Sequence, residues 1–143
     1  MQEEADALIA MEKHCTEEKV YVFPGPGERI AIALASPDKR ESFMLDVTRS
    51  QLKLTKATYQ NRVRQAVILM RLDLDGPSHR NPDDQEVSCP HLHVYREGYG
   101  TKWAVPAPDN IYTNTQDLFS TLEAFMQHCN VTQVPNLQLG GLF

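Results

Sequence analysis

Three of the five histidines in this chain, His79, His91 and His93, fall within a short central stretch. Arg71, Asp73, Cys89, Arg96 and Tyr99 surround them in the sequence. Imidazole, guanidinium, phenol and carboxylate are the groups that move protons and steady phosphates near neutral pH. On an extended strand His91 and His93 project to one face, about 7 Å apart, twice the strand rise. If the run ending near Asp75 pairs with that strand, Arg71 or Asp73 lies beside them. His79 opens the connecting loop and can fold over the same patch.

Three chemistries compete for this set. In the first, one histidine deprotonates a ribose 2′-hydroxyl and another protonates the leaving 5′-oxygen. Arg71, Arg96 or Lys102 then holds the phosphate, and no metal or cofactor is needed. In the second, His-x-His with a third histidine, joined by Asp73 or Cys89, makes a zinc-type ligand set. Neither Cys-x-x-Cys nor His-Glu-x-x-His is present to strengthen that reading. In the third, the histidines are packing or surface groups paired with Asp73, Glu97 and turn backbone. Each histidine alone fits the third reading best, whereas the cluster as a whole favours a functional role. Tyr99 and Trp103 offer faces for a stacked base, or cap an edge of the core. Cys89 becomes a nucleophile only with a lowered pKa and a neighbouring histidine. Cys15 and Cys129 fall on apolar helix faces and read as packing.

Those groups need elements to hold them. Gln2 to His14 has helical spacing at Ala5, Leu8 and Ile9, with acids in its first turn. Val20 to Phe23 is a short β-rich run ended by Pro24-Gly25-Pro26-Gly27, which lacks the ending of a phosphate loop. Arg29 to Ala35 alternates as a half-buried strand, and Ser36-Pro37-Asp38-Lys39 is a turn. Phe43, Leu45 and Val47 share one face of a strand. Its hairpin partner is anchored on Leu52 and Leu54, with the turn at Arg49-Ser50. Arg62 to Leu74 is the longest strand candidate, apolar on both faces and therefore central. Asp75-Gly76-Pro77 stops it. His91 to Arg96 and Lys102 to Val105 are the last strands, joined at Glu97-Gly98-Tyr99-Gly100. A C-terminal helix starts near Asn114 or Thr115 and buries Leu118, Leu122, Phe125 and Cys129. The tail from Val131 lacks periodicity and ends Leu139-Gly140-Gly141-Leu142-Phe143. The sum is one α+β domain over residues 1–143, an antiparallel sheet of about six strands flanked by an N-terminal and a C-terminal helix.

The net charge of -5 argues against a general polyanion binder. Yet residues 47–72 carry Arg49, Lys53, Lys56, Arg62, Arg64 and Arg71 and no acid. On neighbouring strands these would make one basic face, a phosphate-binding footprint. The plainer alternative is solvated strand positions that discourage edge pairing. Three widely spaced cysteines form no disulfide framework, so a reducing cytoplasm is expected. No apolar run approaches the roughly 18 residues of a membrane span. The acidic Met1-Gln2-Glu3-Glu4 start is unlike a signal or transit peptide.

Two runs carry a resemblance: Arg-Leu-Asp-Leu-Asp-Gly-Pro-Ser-His-x-Asn-Pro-Asp at 71–83 and Cys-Pro-His-Leu-His-Val-Tyr-Arg-Glu-Gly-Tyr-Gly-x-Lys-Trp-Ala at 89–104. They resemble an uncharacterised family of small bacterial and phage proteins, over most of the chain from the N-terminal helix to Pro135-Asn136. A more distant likeness is to the TumE-like toxins of toxin–antitoxin pairs, which show an Arg-Tyr-Asp strand, a Pro-His-His turn and a later Pro-His-x-His strand. Arg71, Asp73, Pro77, His79, Pro90, His91 and His93 stand in comparable places. Leu72 replaces the tyrosine, Ser78 stands where the first turn histidine would be, and the loop to His91 is longer. The likeness covers about a quarter of the chain and implies a cytoplasmic, toxin-like ribonuclease. His79, His91 and His93 would then share acid–base work with Asp73. Arg71, Arg96 and Lys102 would bind phosphate, and Tyr99 and Trp103 a base. RNA, and an antitoxin or host protein, are the partners this implies. The alternative is a non-enzymatic phage or accessory protein that regulates a host protein by binding it. Its acidic ends would suit a basic partner surface, and its histidines would be structural or metal-binding.

Overall fold

The computed structural model describes residues 1–140; of the apolar end of the tail, residues 141–143 lie outside the described residues. Two helices, α1 (Gln2–Ala10) and α2 (Leu118–His128), accompany twelve strands. These are β1 (Lys13–Cys15), β2 (Val20–Val22), β3 (Arg29–Ala35), β4 (Ser42–Arg49), β5 (Ala57–Val63), β6 (Val67–Leu74), β7 (His79–Arg80), β8 (Glu86–Val87), β9 (His91–Val94), β10 (Ala104–Pro106), β11 (Val131–Gln133) and β12 (Asn136–Gln138). The main sheet has the order β10-β9-β6-β5-β4-β3-β1-β11. It is antiparallel except where β11 runs parallel to β1. This is the expected α+β arrangement with eight strands instead of about six. The two added strands are three residues each, too short to show a period in the sequence. Among the described residues, no helix is long and apolar enough to cross a membrane.

Register divides the sheet into two unlike faces. Val47, Tyr59, Leu72 and Leu92 oppose one another across four strands, so they share one face, and all are buried. Both helices pack on that side, α1 against β6 and α2 against β5. Leu118, Leu122, Phe125 and Cys129 are buried as their spacing predicts. The Tyr59 hydroxyl donates to the Leu118 carbonyl at 2.6 Å, so the one polar atom on that ring is satisfied. The other face carries two rows of polar side chains. One row is Thr48, Thr58, Asp73 and His91; the next is Asp46, Gln60, Arg71 and His93.

Several local expectations are corrected. Helix α1 ends at Ala10, not His14, because the chain turns into β1, which places Cys15 on a strand. Leu52 and Leu54 lie in a loop, 96% and 67% exposed, and the true partner of β4 is β5. Arg62 to Leu74 is two strands, not one. Arg64 and Gln65 turn the hairpin with positive φ (52° and 67°), a conformation that side chains other than Gly, Asn and Asp adopt rarely, which hid the turn. A register shift between Asn61 and Arg62 leaves Leu69 without an opposing residue, and Leu69 and Met70 are both buried. The C-terminal helix is capped by Asp117 rather than Asn114 or Thr115: its carboxylate accepts from the Ser120 N–H at 3.1 Å.

The basic stretch does not form one face. Arg62 pairs with Asp46, Arg64 with Glu4 and Glu41, Arg71 with Asp73, and Lys53 with Asp75. Arg49 is buried and donates to the Pro24 and Leu54 carbonyls. Each neutralised base is therefore tied down locally rather than pooled into a field.

Candidate functional site

The polar face brings the central groups together because β6 and β9 pair in one register. Asp73 opposes His91 and Arg71 opposes His93, so alternation places all four on the side away from the helices. Asp73 Oδ2 lies 3.1 Å from His91 Nε2 and 3.2 Å from His93 Nε2. Arg71 clasps both oxygens of the same carboxylate, Nε to Oδ1 and Nη2 to Oδ2, each at 3.1 Å. Thr58, the next residue along the row, donates to Asp73 Oδ1 at 3.3 Å. Burial raises the Asp73 pKa, but the contacts with His93 and Arg71 outweigh it and hold the carboxyl well below its ordinary range.

The third histidine arrives from the loop. β7 and β8 form a small ribbon pinned to the sheet edge by Asn81. Its side chain donates to the Ala104 carbonyl at 2.9 Å and accepts from the Ala104 N–H at 2.8 Å. That clamp sets the His79 ring 4.5 Å from the His93 ring and 5.9 Å from that of His91. His79 Nε2 donates to the Lys102 carbonyl at 2.7 Å. Cys89 Sγ lies 3.5 Å from His91 Nδ1.

Tautomers follow from these partners. A carbonyl only accepts, so the Thr101 oxygen 2.6 Å from His93 Nδ1 fixes a proton there. With Nδ1 protonated, Nε2 has two roles. In the charged ring it donates to Asp73 Oδ2 at 3.2 Å, which is the contact that lowers the carboxyl pKa; in the neutral ring it accepts from Arg71 Nη2 at 3.1 Å. Asp73 likewise takes the Nε2 proton of His91, leaving the Nδ1 lone pair toward Cys89. Burial lowers the His91 pKa, and the nearby Asp73 raises it less.

A cleft of about 510 Å³ opens onto the cluster. Arg71, Asp73, His79, Cys89 and His91 line it, with Lys56, Thr58 and Gln60 opposite. His93 is 0% exposed and sits behind this wall; His91 is 2% exposed and forms part of it. A second cleft of about 580 Å³ adjoins the first, sharing Thr48 and Gln60 and reaching Arg29 and Arg62.

Thus His79, His91, His93, Arg71 and Asp73 converge. Arg96, Tyr99 and Trp103 gather elsewhere: Arg96 lies 4.4 Å over the Trp103 ring, and Tyr99 meets Trp103 edge-on at 5.8 Å. None of these three lines the 510 Å³ cleft, nor does the Lys102 side chain, though the Lys102 carbonyl orients His79. Lys56, named in the basic stretch, does reach the cleft, whereas Thr58, Gln60 and Asn81 have no signal in the sequence. Thr58 and Gln60 follow only from knowing that β5 runs beside β6. Asn81-Pro82 reads as turn chemistry, which conceals a clamp.

A family model described as a family of unknown function (DUF6978) matches residues 1–131, and the chain belongs to that family. Neither the curated proteins nor the solved structures contain a match to it.

Proposed function

We propose that the polar sheet face of this family member cleaves RNA by acid–base chemistry, with His91 as base and His79 as acid. The Asp73–His91 pair set against His79 in one cleft is the observation that supports it most. Asp73 orients His91 so that Nδ1 holds the lone pair, and burial keeps that ring neutral near pH 7. The entering 2′-hydroxyl displaces the Cys89 thiol and gives its proton to Nδ1. The 2′-oxygen bonds to phosphorus, the bond to the 5′-oxygen breaks, and His79 supplies the proton that oxygen takes. The products are a 2′,3′-cyclic phosphate and a free 5′-hydroxyl. Arg71 and Lys56 are the cations of the cleft that meet the phosphate. His93 acts through Arg71 as a positioning residue. For a longer strand, the Arg96–Trp103–Tyr99 stack beside Lys102 is the place for an outlying base. A protein with this activity would be toxin-like and held in check by an antitoxin partner.

Single-stranded RNA incubated with the protein in chelator should acquire 2′,3′-cyclic phosphate ends. His79→Ala and His91→Ala should each slow this at least about a hundredfold. Intact RNA from a folded sample would sink the reading.

A second reading has its own support. His91 and His93 are almost fully buried with both ring nitrogens partnered, as in histidines that only hold a fold. The chain is then a non-enzymatic prokaryotic or phage accessory protein that regulates a host protein by binding. Full biological activity in the His79→Ala, His91→Ala, His93→Ala triple variant would select it.

A further inference from the structure

We infer that Asp73, His91 and His93 form a binding site for one zinc-like divalent ion, and that Arg71 fills its place in the metal-free protein. The ligand atoms of these three residues all lie within 4.8 Å of one another. Two of the separations, 3.1 Å and 3.2 Å, centre on Asp73 Oδ2. Bonds of about 2.0–2.2 Å to a shared ion at tetrahedral to octahedral angles place donors roughly 3.0–3.5 Å apart. Backbone pairing fixes which residues meet, with two ligands two residues apart on β9 and the third a register mate on β6, and the two imidazoles close around the ion by small ring rotations.

The surrounding groups suit ligation. Thr101 holds the His93 proton on Nδ1, which presents Nε2 as a lone pair. Thr58 and Arg71 Nε occupy Asp73 Oδ1 and leave Oδ2 to the ion. Cys89 is not a ligand, because its sulfur sits against Nδ1, the opposite edge of the His91 ring. His79 is not one either, since its ligand atoms fall outside the group. Two imidazoles and one carboxylate favour Zn²⁺ over Mg²⁺ or Ca²⁺, which require oxygen shells.

A cation already occupies this position. Arg71 Nη2 lies 3.1 Å from Asp73 Oδ2 and 3.1 Å from His93 Nε2, bridging two of the three ligands. Arg71 lines the open cleft, so it can swing out when an ion enters. Ion binding also switches His91: Nε2 must give up its proton to ligate, and Nδ1 becomes the protonated nitrogen, facing Cys89. The lone pair assigned above to the base is then gone, so zinc inhibits cleavage. The inhibition rests on the ribonuclease reading; the binding does not.

The test is calorimetric titration of chelator-stripped, full-length protein with zinc chloride near pH 7.5. One ion per chain is expected, with a dissociation constant on the order of 1 µM. Asp73→Asn and His93→Gln should weaken binding at least about tenfold. Arg71→Gln should tighten it about tenfold by removing the competing cation, a gain that misfolding cannot imitate. Cys89→Ser and His79→Ala should bind as the parent does, and Co²⁺ should show no thiolate charge-transfer band. Absent binding, binding indifferent to Asp73→Asn, or weakening in Arg71→Gln overturns the site. RNA left intact in chelator sinks only the ribonuclease reading. Zinc that binds without slowing cleavage overturns the coupling between the two.

Discussion

Lys13 and Asp73 are both charged groups taken largely out of water, and the fold treats them in opposite ways. Lys13 is fully buried, and its ammonium donates to the Ile9, Met11 and Cys129 carbonyls at 2.9, 2.8 and 2.7 Å. Three donors meet three acceptors, from the ends of both helices. Burial pulls the Lys13 pKa down to about 8, still above neutral pH, so the group stays charged and closed off. Asp73 instead is shared by Arg71, His91, His93 and Thr58, and it borders a cleft. Its neighbours can change tautomer or protonation state, or leave. A closed ring of carbonyls around a charge holds a fold together; a carboxylate shared among convertible partners can do chemistry.

The comparison predicts unequal costs. Lys13→Ala takes the donor from one buried and two part-buried carbonyls at once and should cost about 3–5 kcal/mol, read from the urea midpoint. A loss below about 1 kcal/mol would break the comparison from the structural side. Asp73→Ala should cost less, about 2–3 kcal/mol, because Arg71 can turn to the cleft and recover water. Adding Arg71→Ala to Asp73→Ala should then restore part of that loss, since it removes the cation left without its carboxylate. Strict additivity would mean that the pair is not coupled.

The same contrast explains what the sequence could show. The cluster was legible because period-two alternation, a His-x-His pair and a strand ending at Asp75 together fix which residues can share a face. Lys13 is not legible: it falls inside the helical spacing expected from Gln2 to His14, and its acceptors come from residues as distant as Cys129. The hairpin at Arg64-Gln65 was hidden because positive φ there is borne by residues that do not announce it. Leu52 and Leu54 passed for a strand because alternation is counted before exposure is known. Arg96, Tyr99 and Trp103 lie close to the histidines in sequence, but the turn at Gly98 and Gly100 collects them into a stack of their own.

Acid should act on the histidines before it reaches Asp73. Burial lowers the folded pKa of His91 and of His128, whose Nδ1 meets the Tyr112 hydroxyl at 2.8 Å. The unfolded chain therefore binds more protons in this range. Stability is full above the ordinary histidine pKa of about 6.5 and is lost as pH falls through the lowered values. Asp73 adds a second loss only in stronger acid, as pH falls below the ordinary carboxylate range toward its own lowered pKa. Urea midpoints at pH 7.5 and 5.5 should differ in the parent and differ less in His128→Gln. Equal differences would remove His128 from the acid-sensitive set.

The smallest effect should come from two exposed apolar side chains. Leu52 and Leu54 look like core residues in the sequence, yet their loop is held through its backbone. Ser50 Oγ accepts from the Leu52 and Lys53 N–H groups, and Arg49 Nη2 donates to the Leu54 carbonyl. Lys53 anchors the same loop to Asp75 at 2.8 Å. None of these bonds needs a leucine side chain. Leu52→Ser and Leu54→Ser together should therefore shift stability by no more than about 0.5 kcal/mol. A loss several times larger would show that this loop is covered in solution. A partner docked on the loop, rather than chemistry in the cleft on the polar face, would then be the function to pursue.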